Sequence, residues 1–204
     1  MSGIVGGMNL RSSGLVNLGS AADGQVFTGT GAGLPVGFEA AAGGGKLLQC
    51  VASELPTTVS ATTSSFIDIT GVTVDIDPTE SDSNFLIKVT GSTGTSHGDN
   101  GLFKLVRLVE GTSATDVHVG DARSDRSRVF YGFGEILSAW SMPVITEFLD
   151  EDPAYTVGET LTYKVQWKGV ATSRYNVWNR TSTDSDTTNY PTSASSIVVM
   201  EIAT

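Results

Sequence analysis

The sequence predicts an all-β protein, a β-sandwich head domain carried on an extended, glycine-rich amino-terminal stem. Three observations lead there. From Leu47 onward, apolar residues alternate with polar ones over short runs instead of recurring at helical spacing. β-Branched residues fill those runs, and turn formers separate them every 8 to 12 residues or so, the pattern of a sandwich or barrel. Glycine is also unevenly placed: 13 of the 24 fall within residues 1–45, which cannot then be ordinary globular core. The composition break at Gly43, Gly44 and Gly45 divides the chain into a stem, 1–45, and a head, 46–204.

Within the stem, Asp23-Gly24 and the cluster from Gly29 to Gly33 are turn signals. They bracket Val26-Phe27 and Leu34-Pro35-Val36-Gly37-Phe38, apolar pieces too short to bury a core alone. Such pieces order by packing against further chains, which is the residue-level argument for self-association.

Strands are expected over 47–53, 65–69, 72–76, 85–92, 102–109, 116–119, 128–133, 139–148, 161–167, 176–180 and 196–202. The first carries the single cysteine, Cys50, in the apolar run Leu47-Leu48-Gln49-Cys50-Val51, which suggests a small buried hydrophobe. Phe66, Val72, Val74 and Ile76 share a two-residue spacing around a turn at Thr70-Gly71. Phe85, Ile87 and Val89 point inward against Lys88 and Thr90, and Tyr163, Val165 and Trp167 repeat that spacing. The run from Leu102 to Val109 is apolar on both faces, as a central strand or a subunit interface would be.

A formal net charge of −10 with only 17% charged residues excludes a phosphate-backbone binder, so no nucleic-acid partner is expected. The amino terminus lacks the basic region and apolar core of a signal peptide, and no apolar run approaches the ~18 residues of a membrane span. Synthesis in a cytoplasm, without membrane insertion, follows as an expectation.

Catalytic chemistry finds little to build on. His97 lies in a Gly/Ser/Thr loop and His118 between Val117 and Val119, and no nucleophile elbow, phosphate loop or zinc spacing is present. Glu147, Asp150, Glu151 and Asp152 read as a solvated turn ahead of Pro153 and not as a glycosidase pair. Asp75, Asp77 and Glu80, like Asp184 and Asp186, read as surface turns without the glycine and distal glutamate of an EF-hand. No enzyme activity, cofactor or metal is therefore expected. Tyr175, Trp178 and Tyr190, flanked by polar loop residues, are candidates for stacking on a glycan. Arg123, Arg126 and Arg128, interleaved with Asp121 and Asp125, suit ion pairing between strands or subunits, and His118 is a further inter-subunit candidate.

The stretch Asp23-Gly24-Gln25-Val26-Phe27-Thr28-Gly29-Thr30-Gly31-Ala32-Gly33-Leu34-Pro35-Val36-Gly37-Phe38-Glu39-Ala40-Ala41-Ala42 resembles the segment that precedes the heads of marine tailed-phage tail fibres. The stretch from Phe66 to Pro78 is similar to a strand pair of those heads, and Leu105-Val106-Arg107, Gly120-Asp121-Ala122, Arg126-Ser127-Arg128, Asn179-Arg180 and Ile197 to Ile202 match later landmarks. The resemblance implies a jelly-roll-like head, a homotrimer wound through its glycine-rich stems, and a place on the virion. The stem would join other virion proteins, and the head would meet a host surface glycan or protein. A stem this short also suits a capsid decoration or head-fibre protein that stabilises the shell. A carbohydrate-binding module or depolymerase is the third reading.

Overall fold

The computed structural model describes residues 25–29, 36–40, 45–96, 100–134, 140–151, 153–170 and 176–204. The chain divides into two compact units, Met1–Gly44 and Gly45–Thr204. In the first, β1 (Gln25–Gly29) and β2 (Val36–Ala40) form an antiparallel pair that sets Phe27 opposite Phe38.

The second unit is all-β among its described residues. Its strands are β3 (Leu47–Leu55), β4 (Val59–Ala61), β5 (Ile67–Ile76), β6 (Asn84–Thr95), β7 (Gly101–Val109), β8 (Thr115–His118), β9 (Tyr131–Phe133), β10 (Met142–Asp150), β11 (Leu161–Lys168), β12 (Asn176–Trp178) and β13 (Ser195–Ile202). They build two antiparallel sheets. In the five-stranded sheet β5 pairs with β11 and β11 with β7, while β8 and β9 follow one another along the far edge of β7. In the six-stranded sheet β10 lines one edge of β6, and β13 and β12 line the other. Outside those two run β3 and β4.

Alternation decides which side chains are buried. Leu161, Tyr163, Val165 and Trp167 on β11 are buried while their neighbours are half-exposed, and Ile197 and Val199 on β13 repeat the pattern. These residues join Phe85, Ile87 and Val89 of β6, Phe103 and Leu105 of β7, Val144 of β10 and Trp178 of β12 in one cluster drawn from both sheets. Each such aliphatic or aromatic side chain contributes about 1.5–3 kcal/mol relative to exposure. As expected of the run 102–109, β7 is central. Its Phe103 and Leu105 are buried on one face and Val106 on the other.

Three expectations are corrected. The segment 67–76 is a single strand, not two strands around a turn. Gly71, at φ 89°, lies in an irregularity where five residues of β5 span only two of β11. Inward-facing residues are therefore odd-numbered up to Ile69 and even-numbered from Val72, so Phe66 does not share a face with Val72. Phe66 instead lies beneath the ammonium groups of Lys104 and Lys168, at 4.7 and 5.0 Å from its ring centroid. Second, Cys50 is exposed. Its neighbour Gln49 faces inward, so period two turns the thiol out. Third, Glu147 and Asp150 belong to strand β10 and not to a solvated turn.

Candidate interaction surface

β12 and β13 occupy one line of the six-stranded sheet. Along β6, Asn176, Val177 and Trp178 face Thr95, Gly94 and Thr93, and Ser196 to Ile202 face Thr90 to Asn84. The chain leaves the sheet after Trp178 and re-enters it at Ser195 in the same direction. Residues 179–194 thus form an excursion from an otherwise continuous strand. Its neck is closed by hydrogen bonds: Asn179 N–H donates to Ser92 O at 2.8 Å and Ser193 N–H to Asn179 O at 2.9 Å. Asn179 adopts φ 63°, a left-handed conformation that asparagine tolerates better than most residues. Its Nδ2 donates to Leu55 O, Thr57 O and Ser195 Oγ at 2.8, 3.0 and 3.1 Å, tying the neck to the outer strand line.

Beyond the neck, Arg180 bridges to Thr192, and residues 184–189 are exposed. The segment is Thr181-Ser182-Thr183-Asp184-Ser185-Asp186-Thr187-Thr188-Asn189-Tyr190, almost wholly hydroxyl, amide and carboxylate chemistry. Thr181 Oγ1 donates to Thr183 O at 2.7 Å, and Tyr190 N–H to Thr187 O at 3.2 Å. This is a polar loop held at its base and solvated at its tip, the usual form of a binding element on a rigid scaffold.

The aromatic candidates separate. Tyr190 is half-exposed within the excursion, and Tyr175 lies outside the described residues. Trp178 is fully buried, which removes it from any stacking surface. Its ring packs on Gly91 and 5.7 Å from the Phe103 ring, and Nε1 donates to Ser195 Oγ at 2.7 Å. Its two neighbours, Val177 and Asn179, are buried as well, so the polar flanks misled. The tryptophan that stands out is Trp140, 63% exposed just before β10. Reading 139–148 as strand concealed it. The strand begins at Met142, and Trp140 precedes it.

The inter-subunit candidates lie on β8 and on the loop that follows it. Arg123, Arg126 and Arg128 are exposed, and none takes part in the ion pairs found among the described residues. Arg128 Nε donates to Gly120 O at 2.8 Å, which serves the chain's own loop. His118 of β8 is half-buried between Phe130 and Phe148, with ring centroids at 5.6 and 4.7 Å, and its Nε2 lies 2.9 Å from Thr146 Oγ1. Desolvation there lowers its pKa from the ordinary 6.5. It links β8 to β10 within one chain.

Among the described residues two acidic side chains are buried. Asp150 accepts from Arg107 Nη1 at 2.5 Å and from the Tyr163 hydroxyl at 2.8 Å, so an edge of the six-stranded sheet is bound to the five-stranded one. Burial, then the Asp150 charge, push the Tyr163 phenol far above its usual range. Glu201 is fully buried, and among the described residues no cation forms an ion pair with it. Gln49 Nε2 donates to its carboxylate at 2.7 Å, Ser83 Oγ at 2.8 Å, Thr79 N–H at 2.9 Å, Thr79 Oγ1 at 3.0 Å and Glu80 N–H at 3.2 Å. Desolvation alone would raise this carboxyl, but the donors outweigh it and hold it below the ordinary 4.5. The sequence held the signal: Ile197, Val199 and Glu201 share one parity.

Asp75 and Asp77 accept from Thr162 and Thr160 at 2.6 and 2.7 Å. Among the described residues no group of three or more His, Cys, Asp or Glu is placed to hold a metal, and no helix is long and apolar enough to cross a membrane. Asp152 and His97 lie outside the described residues. Comparison with protein-family models and with curated proteins finds no match to this chain.

Proposed function

We propose that the chain is a non-catalytic structural and binding component of a tailed-phage particle. It is a short homotrimeric fibre or knob with a jelly-roll-like sandwich head, anchored to other virion proteins through residues 1–45. The observation that carries this reading is the excursion 179–194, a solvated Ser/Thr/Asn/Asp loop with one half-exposed tyrosine, clamped at its neck on a rigid sheet. Such a loop offers hydrogen-bonding groups to a glycan or protein on a host surface without disturbing the core below. The resemblance of 23–42 to the segment ahead of phage-fibre heads supplies the particle context, and an antiparallel strand pair lies within that segment.

The test replaces the exposed residues 184–189 with a Gly/Ser loop of equal length in phage carrying the gene. The expected outcome is loss of adsorption to host cells with the head still folded, because surface changes of this kind alter stability by no more than about 0.5 kcal/mol. Unchanged adsorption, with particles that disintegrate earlier on heating when the whole protein is missing, would replace the host-contact reading with capsid decoration.

A further inference from the structure

The outward face of the six-stranded sheet is poor in charge and has no covering element among the described residues. Directly opposed residues of antiparallel strands share a face, so the register lays the surface out in rungs. One rung is Cys50, Met200, Leu86 and Leu149, running without a charge across β3, β13, β6 and β10. The next is Ala52, Val198, Lys88 and Glu147, with Lys88 Nζ 3.1 Å from Glu147 Oε2, and the third is Glu54, Ser196, Thr90 and Ile145. Leu149 is 39% and Ile145 66% exposed. The outward face of the five-stranded sheet is of another kind: Lys164 pairs with Asp68, Lys104 with Asp116, and Thr162 with Asp75.

We infer that this outward face is where copies of the chain contact one another, with the Cys50–Met200–Leu86–Leu149 rung at the centre. The inference rests on the self-association in the reading above and moves it away from Arg123, Arg126 and Arg128. Charge selects the occupant. Copies that each carry a net charge of −10 repel over most of their surface, and they approach at least cost where carboxylates are few. Here the carboxylates of Glu54 and Glu147 share the face with Lys88, which pairs with Glu147, and a second copy brings the same opposite charges to it. A basic partner would find almost no negative charge to hold. Four strands at ~4.8 Å spacing and nine residues at ~3.3 Å give a plan area of roughly 570 Å². That is of the order of the ~800 Å² of accessible surface that each partner contributes to a standard interface, once side-chain relief is counted.

The single cysteine is a built-in probe. The full chain is labelled with a fluorescent maleimide over a range of protein concentrations, while light scattering reports its mass. The expected result is a multimer whose Cys50 labelling slows at least tenfold as it assembles, and which Ile145→Lys with Leu149→Lys converts to a folded monomer that labels fast. A multimer that labels equally fast at every concentration and keeps its mass in the double variant would overturn the assigned face and leave self-association standing. A chain monomeric at every concentration would overturn both. A monomer whose Cys50 is protected until residues 1–44 are removed would show that the amino-terminal segment, and not a second copy, covers the face.

Discussion

Glu201→Gln keeps the shape of the buried side chain and removes its charge, so it isolates what the carboxylate does. The amide oxygen can remain at the Oε1 position, where the Thr79 and Glu80 N–H groups and the Ser83 hydroxyl converge. The new NH2 then stands at the Oε2 position and faces Gln49 Nε2 donor to donor. Thr79 Oγ1 can turn and accept, but Gln49 cannot turn without giving up its 2.6 Å bond to Asp77 O. One charge-assisted hydrogen bond is lost, at about 1.5–3 kcal/mol, and those that remain fall to neutral strength. Relief from burying a charge offsets part of this. Because the carboxyl's pKa is held below its ordinary value despite burial, the fold favours the charged form on balance. A net loss of about 2–4 kcal/mol is expected, a large share of the roughly 5–15 kcal/mol that stabilises a domain. Urea unfolding of the full chain at pH 7, followed by tryptophan fluorescence with an unchanged denaturant slope, measures it. Glu147→Gln is the control, since its pair with Lys88 is about half-exposed and should matter by under about 1 kcal/mol. If the two variants were equally stable, the donors around Glu201 would not be stabilising the fold as argued.

Four further outcomes are expected. Gly91→Ala drives a methyl into Trp178 Cζ2 and to 3.0 Å from Ser195 Cβ, so thermal unfolding should show a loss of about 2–3 kcal/mol by overpacking. Arg107→Met strands the Asp150 carboxylate and should cost about 3–5 kcal/mol, only part of it recovered by adding Asp150→Leu, which leaves the buried Tyr163 hydroxyl without its acceptor; urea midpoints of the single and double variants decide this. His118 has a lowered folded-state pKa, so below pH 6.5 the unfolded chain binds more protons than the folded one. Stability should fall as pH drops below that value, and the fall should shrink in His118→Gln, read as thermal midpoints at pH 7.5 and 5.5. Deleting residues 1–45 should abolish incorporation into particles while circular dichroism of the remainder keeps its β signature; normal incorporation would move the anchor to the head.

Much of the fold was legible because period two is a local property. The strands from β6 to β8, and β11 and β13, lie close to their expected positions since each has one face that must be dry. What failed depended on neighbours. The irregularity at Gly71 reverses the parity of β5, and nothing in the run from Ile67 to Ile76 states how many residues β11 will pair with. The three-residue β4 was missed because Val59-Ser60-Ala61 becomes a strand only beside β12. The candidate surface was half legible. The strand expected over 176–180 already held Trp178, yet its polar neighbours marked that ring for the surface, because nothing local states that Asn176, Val177 and Trp178 are all buried. Buried Glu201 was readable from parity and was passed over, because a lone carboxylate is rarely fully buried and its donors lie 118 to 152 residues away.

The closed neck of the excursion also bears on how this surface can change. The strand resumes at Ser195 on the line it left at Trp178, so the sheet does not count the residues between them. Doubling a loop costs only about 0.6 kcal/mol in closure entropy. Insertions between Arg180 and Thr192 should therefore be far better tolerated than any of equal size within β6 or β11, where one extra residue would turn every following side chain over. Length, as well as sequence, is free to drift there, and the same site would accept a foreign peptide held by Asn179 and Ser193.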